Sequence, residues 1–440
     1  MISQIIKKIL LSHPKLRSFY MLTLKSIAEI LAPFIKIIVL KMFKGYEISS
    51  DVETSKTNIV WLVKTLGPGG AERQVVNFAN KLALCDNFNI TIICFSCLEA
   101  PDNFYFNHFD ESIKIIDLNS FKLNQQIKVP KILYAMWSLD TVKKFKKVVY
   151  LLTELKPHLV QGWLDEPSIV CSLAGLHTKI AKICISTRNT NPSNFLANRI
   201  YFKGVYSALA KYRNILFLNN SLFGSRDYEK WLKLEYGTIK TINNGFDIDL
   251  FDSFDKLTYF TNTQLPKIVG TVCRLDLEKD LDLWFEIVKK LTIHSQINFK
   301  LIGDGPLRAK LSKQIRSNNL ENRVEMVHSI ADIYSEMIKF DIFLLTSKFE
   351  GLPNVLIEAQ LLGLPVIATN AGGSSETFVN GNSGILLDNR DYNSICQEIE
   401  SLLRDEPRYN SFVKNAKIQS RISFDINKKV SDLIELYNGL

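Results

Sequence analysis

Two glutamates, Glu350 and Glu358, stand eight positions apart in the stretch FEGLPNVLIEA, separated by a Gly-Leu-Pro-Asn turn and an apolar run. Such a pair can serve acid/base catalysis, sit as two solvated helix charges, or grip one ligand at two points. On a single helix, eight residues would set the carboxylates about 12 Å apart along the axis and turn them by about 80°, a poor acid/base pair. Pro353 is at ease in a first helical turn, so the helix is expected to begin there and leave Glu350 in the preceding loop, where Gly351 allows a sharp bend. Both carboxylates can then face one site and flank a helix N-terminus suited to an anion. Carboxylates accept hydrogen bonds from vicinal hydroxyls, and an anion between two polyols describes a nucleotide sugar.

Three further stretches join a strand-like run to a helix-like one. In LGPGGAER, Gly69 and Gly70 either make a tight turn or let a phosphate or sugar approach the backbone at a helix start. The stretch is not GxGxxG, and no acidic residue closes a following strand, which argues against a dinucleotide site. In TVCRLDLEKD, Arg274 and Lys279 offer a planar fork and a point charge, a combination suited to a diphosphate, or are solvated surface charges. In LIGDGPLRAKL, Gly303 and Gly305 bracket Asp304 before Pro306, which describes a sharp loop and a helix start that serve a ligand or the turn alone.

The elements that must position these residues are legible as two alternations. NIVWLV, NITIICF, IKIIDL, HLVQGW, KICIST, NILFLN and IKTINN form the first set of strand candidates, with helical runs such as VKKFKKVVYLLTELK between several of them. KIVGTVCR, NFKLIGDG, VEMVH, DIFLLTS, PVIATN and GILL form the second, and two helical runs are expected to close the chain. Strands alternating with helices imply crossover connections and mostly parallel sheets. The expected fold is α/β, two doubly wound Rossmann-like domains facing a central cleft, with ligands at the carboxyl ends of the strands. The polar, aperiodic stretch FDIDLFDSFDKLTYFTNTQLP (246–266) reads as the linker. The expected domains are 56–250 on the acceptor side and 251–425 on the donor side, with a helix at 426–440 that could cross back to the first domain.

Of the 440 residues, 54 are basic and 45 acidic, a net charge of +9. Much of that excess lies within residues 1–45, where Lys7, Lys8, Lys15, Arg17, Lys25, Lys36, Lys41 and Lys44 face Glu29 alone. A nucleic-acid binder would more often spread its basic residues over a folded face, so no nucleic-acid partner is expected. The longest charge-poor stretch of this arm contains Pro33 and Lys36 and falls short of the ~20 apolar residues of a spanning helix. Residues 1–55 therefore read as a basic amphipathic extension lying on an anionic membrane surface, or packing on the body as extra core helices. The seven cysteines read as core thiols, including the CxxC pair Cys94 and Cys97, which has no second pair to complete a metal site. Histidine clusters such as HExxH are absent, and neither metal nor cofactor is expected.

Taken in order, RLDLEKD, LIGDGP, EGLPNVLIEA, GLPVIATNAGG and NGNSGILL, with GPGGAE and INNGFDIDLF before them, resemble the retaining glycosyltransferases of family 4, which have the GT-B fold. The match runs from about residue 58 to about 420 and is strongest over 268–387. The resemblance implies that Glu350 holds the donor hexose hydroxyls and Glu358 the ribose. It also implies that Arg274 and Lys279 neutralise the diphosphate, making Glu350, Arg274 and Lys279 the catalytic set. Backbone N–H groups of Asn354, Val355 and Leu356 would add to this, and Gly69, Gly70 and Gly303 would line the donor. Metal-dependent transferases of the other large fold use an Asp-x-Asp pair, but Asp247-Ile248-Asp249 and Asp280-Leu281-Asp282 read as structural here. The chain departs from the family at KPHLVQGWLDEPS, where Gln161 and Trp163 stand in place of the His many members carry, and His158 reads as structural.

On the acceptor side, Arg188, Arg199 and Lys203 lie in STRNTNP and the basic, aromatic run 197–213. With the arm they suggest a phosphate-bearing acceptor at a bilayer, or else a solvated basic helix face. The resulting expectation is a peripheral enzyme at the cytoplasmic leaflet, transferring a hexose from a UDP-sugar to a glycan or lipid-linked glycan of the bacterial envelope. Alternatives are a nucleotide-sugar epimerase or a soluble transferase acting on small sugars, and a non-enzymatic nucleotide-sugar-binding scaffold.

Overall fold

Every apolar run read as a strand forms one, and every ladder is parallel. The structure is a computed structural model describing residues 14–46, 55–195, 198–254, 266–328, 330 and 332–440. Its first sheet contains β1 (Thr57–Val63), β2 (Phe88–Cys94), β3 (Lys114–Asp117), β4 (Leu159–Trp163), β5 (Lys182–Ser186), β6 (Ile215–Asn219) and β7 (Lys240–Thr241), in the order β3-β2-β1-β4-β5-β6-β7. The second contains β8 (Lys267–Val272), β9 (Ile297–Ile302), β10 (Val324–Val327), β11 (Ile342–Leu345), β12 (Val366–Thr369) and β13 (Gly384–Leu387), in the order β10-β9-β8-β11-β12-β13. Helices cover both faces of such sheets, so their strands are apolar throughout rather than alternating. Along β1 the alternation shows instead in which layer is filled: Val60 and Leu62 join one core, while Ile59, Trp61 and Val63 join the other.

The chain divides into one unit of Met1–Gly245 with Ile426–Leu440 and another of Phe246–Asp425. The presumed linker therefore starts inside the second unit. Phe246 and Phe251 are fully buried there, and Phe251 meets Tyr334 at 4.9 Å between ring centroids. Two well-placed aromatic side chains fix this short segment without any periodicity; its remainder, 255–265, lies outside the described residues. The chain closes with three helices, not two: Tyr392–Arg404, Glu406–Phe424 and Ile426–Asn438. The break between the first two is made by Asp405, which caps the second, and by Pro407 in its first turn. In the first unit, the last helix sets Ile426, Val430, Leu433 and Tyr437 against the core around Trp61.

The described part of the basic arm is one helix, Pro14–Met42, which packs on helix Phe202–Leu209. Ala28, Ala32 and Val39 are buried in that contact. Gly204 is what lets the two helices approach, since a Cβ there would lie 2.8 Å from the Ala32 carbonyl oxygen. Residues 1–13 and 47–54 of the arm lie outside the described residues. Among the described residues, no helix is long and apolar enough to cross a membrane.

Candidate active site

The second sheet reverses its winding between β8 and β11, and doubly wound folds bind ligands at such a switch point. The loops after those two strands bring Lys279 and Glu350 together there. Lys279 Nζ donates to Glu350 Oε1 at 2.5 Å, and the Ser347 hydroxyl donates to the same oxygen at 2.6 Å. Glu350 sits in a loop, as expected, and is tied to the chain after β12 by its N–H donating to the Ala371 carbonyl at 2.7 Å. Burial is the largest single influence on Lys279 and lowers its pKa, but Glu350, with Cys273 and Glu278, leaves the ammonium's pKa raised. The site thus holds a partly enclosed, charged pair.

The backbone around the pair is locked from several sides. Asp276 caps a single turn, Leu277–Lys279, by accepting from the Leu277 N–H at 2.8 Å. Asp280 follows in the left-handed region at φ 47 and forms ion pairs with Lys348, at 3.0 Å, and with Arg390. Arg390 also donates to the carbonyls of Ser347 at 2.8 Å and Thr346 at 2.7 Å, while Thr346 Oγ1 donates to the Lys279 carbonyl at 2.9 Å. One guanidinium therefore clamps the loop that carries Glu350 to the loop that carries Lys279.

Gly303 and Gly305, at φ 147 and 154, thread a third loop beneath these two. A Cβ on Gly303 would strike the Cys273 carbonyl oxygen, and one on Gly305 would lie 2.6 Å from that of Leu275. These glycines serve close backbone packing: the Leu275 N–H donates to the Asp304 carbonyl at 2.8 Å and the Leu307 N–H to the Leu275 carbonyl at 3.0 Å.

The other candidates on this unit are placed less tightly. Helix Asn354–Leu361 begins one residue after Pro353 and contains Glu358, which is buried and accepts from the Tyr334 hydroxyl at 3.4 Å. The Leu356 N–H donates to the Pro353 carbonyl at 3.2 Å, so among the three backbone groups proposed for the diphosphate it already has an acceptor. Arg274 pairs with Asp276 at 3.1 Å and its side chain remains 66% exposed. Three of the four Asp-x-Asp carboxylates are engaged in structure, Asp280 through its ion pairs. Asp247 caps helix Ile248–Asp252, and Asp282 pairs with Lys310. Among the described residues, no group of three or more His, Cys, Asp or Glu side chains is placed to hold a metal ion.

On the first unit, Gly69 has φ −112, so the GPGG stretch is not a positive-φ turn. Its lack of a Cβ accommodates the Glu72 carboxylate instead. Arg188 is buried with its guanidinium 4.6 Å from the Trp163 ring, and it donates to Asn244 Oδ1 at 2.6 Å. Burial pulls its pKa down to about 9. Arg199 is exposed. Lys203 does not lie on a solvated basic face: its ammonium bonds both carboxylate oxygens of Glu29, at 2.5 and 2.6 Å, and so pins the arm helix. His158 accepts from the Asn58 N–H at 2.8 Å, as a structural histidine would. Cys94 and Cys97 are buried thiols.

Sequence reasoning missed Ser347, Tyr334 and Arg390. Ser347 lies three residues before Glu350, a spacing that could have marked it. Arg390 follows β13 in LLDNRD and carries no motif signal.

Residues 260–419 match the family model for glycosyl transferases group 1. The chain is 28% identical over 415 residues to the Vi polysaccharide biosynthesis protein VipC/TviE of Salmonella typhi, covering 81% of this chain and 71% of the relative. It is 26% identical over 385 residues to a Campylobacter jejuni alpha-1,4-N-acetyl-D-galactosaminyltransferase named for a diphospho-undecaprenol-linked glycan, covering 86% of this chain and 97% of the relative. Among solved structures, Anabaena HepE in complex with UDP and glucose superposes with a TM-score of 0.71 at 22% identity, covering 87% of this chain and 99% of that one. That likeness shows the fold. The two Rossmann-like units are therefore those of the GT-B fold, and the family match with these relatives supports a glycosyltransferase.

Proposed function

We propose that the chain is a metal-independent, retaining glycosyltransferase that moves a hexose from a UDP-sugar to a lipid-linked glycan during assembly of a bacterial envelope polysaccharide. The observation that carries this reading is the Lys279–Glu350 pair at the strand switch point, beside the start of the helix that holds Glu358. An ammonium has three N–H donors, so Lys279 can keep Glu350 while it offers another hydrogen to a phosphate oxygen. Exposed Arg274 adds a fork for the same diphosphate, and the N-terminal end of helix Asn354–Leu361 favours negative charge. Glu350 and Glu358 then accept from hexose and ribose hydroxyls respectively.

In the reaction, the bond between the anomeric carbon and the β-phosphate oxygen breaks as the acceptor hydroxyl oxygen bonds that carbon on the same face. The hydroxyl proton passes to the departing phosphate. Lys279 and Arg274 stabilise the charge that develops there, the role a metal ion plays elsewhere. Asp247, Asp280 and Asp282 are held by a cap and ion pairs, which supports metal independence. The relatives named for polysaccharide biosynthesis and for a diphospho-undecaprenol glycan support a lipid-borne acceptor.

The test is a donor screen by thermal shift with UDP-, GDP- and ADP-sugars, followed by transfer to a diphospho-polyprenol-linked acceptor with and without EDTA. UDP-selective stabilisation, EDTA-resistant transfer and loss of both in Glu358→Gln are expected. Unchanged donor use in Glu358→Gln would sink the site assignment, and an inverted anomeric product would sink retention.

A further inference from the structure

Helix Pro14–Met42 is apolar on two sides. At about 100° per residue, Ala28, Ala32, Ile35 and Val39 share the side packed on the first unit. Phe19, Ile30, Phe34 and Ile37 fall within an arc of about 60° on the opposite side, with Leu22 and Ile27 at its edges. These residues stay open: Phe19, Ile30 and Phe34 are 68%, 67% and 63% exposed. Two polar residues interrupt the stripe, and each turns its hydroxyl back on the helix. Thr23 donates to the Phe19 carbonyl at 2.9 Å and Ser26 to the Leu22 carbonyl at 3.0 Å, so neither donor needs water.

The charge on this helix is one-sided. Lys15, Arg17, Lys25, Lys36 and Lys41 face a single acidic residue, Glu29, whose carboxylate is drawn to Lys203 of the body. We infer that this outward face is the surface by which the protein lies on an anionic lipid bilayer, with the stripe in the acyl boundary and the lysines among phosphate headgroups. A second copy of the chain is the poorer occupant, because a twofold pairing would set the same cations against one another with no acid to answer them. The helix also touches the Pro192–Asn194 turn, four residues beyond Arg188 at the end of β5. The bilayer would thus adjoin the strand ends of the first unit. The inference deepens the proposed function by naming the face that meets the acceptor's lipid phase, and rests on that reading only for the acceptor being lipid-borne.

The test uses the full chain, sedimented with phosphatidylcholine vesicles with and without phosphatidylglycerol, at low and high salt. The variants are Ile30→Glu/Phe34→Glu on the stripe and Lys15→Ala/Lys41→Ala, two exposed lysines on the same side of the helix. UDP-induced thermal stabilisation and elution volume are recorded for each. The wild type is expected to bind phosphatidylglycerol vesicles and to lose binding at high salt. The stripe variant should bind at least about tenfold more weakly and the lysine variant should lose the salt-sensitive part, both with UDP stabilisation intact. Wild-type vesicle binding in the stripe variant overturns the inference. So does a wild type that binds no vesicles while the stripe variant changes only its elution volume, which would make the face a contact between copies. Vesicle binding that behaves as expected in a protein UDP does not stabilise supports the surface and sinks the donor reading.

Discussion

Replacing Glu350 with Gln should separate the two roles of the Lys279–Glu350 pair. The substitution keeps the shape and the Ser347 contact but leaves the ammonium with no anion. Removing one partner of a buried pair costs about 3–5 kcal/mol. The side chains of Lys279 and Glu350 are still 21% and 11% exposed, so solvent screening lowers the expectation to about 2–3 kcal/mol. For a unit of this size, 1 kcal/mol moves Tm by about 2–4 °C, so the transition of the second unit should fall by about 4–12 °C. The released ammonium remains available to phosphate, so UDP should stabilise Glu350→Gln at least as much as wild type, while sugar transfer falls sharply. Scanning calorimetry with and without UDP measures both effects. A double-mutant cycle with Lys279→Met isolates the pair, and the double variant should be milder than the sum of the singles by at least about 1 kcal/mol. Strict additivity, or a Tm within 1–2 °C of wild type in Glu350→Gln, would refute the claim that the pair is a coupled unit.

Arg390→Ala removes the clamp between the two site loops and should cost about 2–3 kcal/mol while raising the KM for donor more than it lowers kcat; steady-state kinetics with a chemical denaturation curve checks both. Gly303→Ala forces a Cβ onto the Cys273 carbonyl at a φ that side chains rarely adopt. It should cost at least about 2 kcal/mol, read as a lower urea midpoint for the second unit. Asp165, which accepts from the Tyr206 and Tyr228 hydroxyls at 2.8 and 2.6 Å, is pushed up by burial to about 6 from 3.8. A carboxyl raised on folding binds more protons in the native state, so stability falls as pH rises through that window. Wild type should therefore gain up to about 3 kcal/mol relative to Asp165→Asn between pH 7 and pH 4, in urea titrations across that range.

The strands were legible because a sheet covered on both faces demands apolar runs, and DIFLLTS or PVIATN can hardly be anything else. Glu350 was placed in its loop by Pro353 for a similarly local reason. The Lys279–Glu350 bond was not legible: its partners are 71 residues apart and meet only because β8 and β11 are neighbours across a reversal of winding. Separate ligand roles for the two residues followed from their types, whereas their contact follows from topology. Arg390 escaped for the same reason: Asp280 lies 110 residues away and its other acceptors are backbone carbonyls that carry no sequence signature. The Lys203–Glu29 pair was not legible either, because its partners lie 174 residues apart.

Helix Ile426–Asn438 has a bearing on synthesis. In the first unit, its Tyr437 hydroxyl bonds the Gln161 side chain in the middle of β4, and Lys182 of β5 donates to the Tyr437 carbonyl at 2.9 Å. A ribosome delivers those residues only after the whole of Phe246–Asp425 has been made. The apolar layer around Trp61 must then wait, uncovered on one side, while some 180 residues of another unit emerge. Domains usually fold in order as they leave the ribosome. Here the unit begun first is finished last, and during that interval the nascent chain presents uncovered apolar surface to the cell.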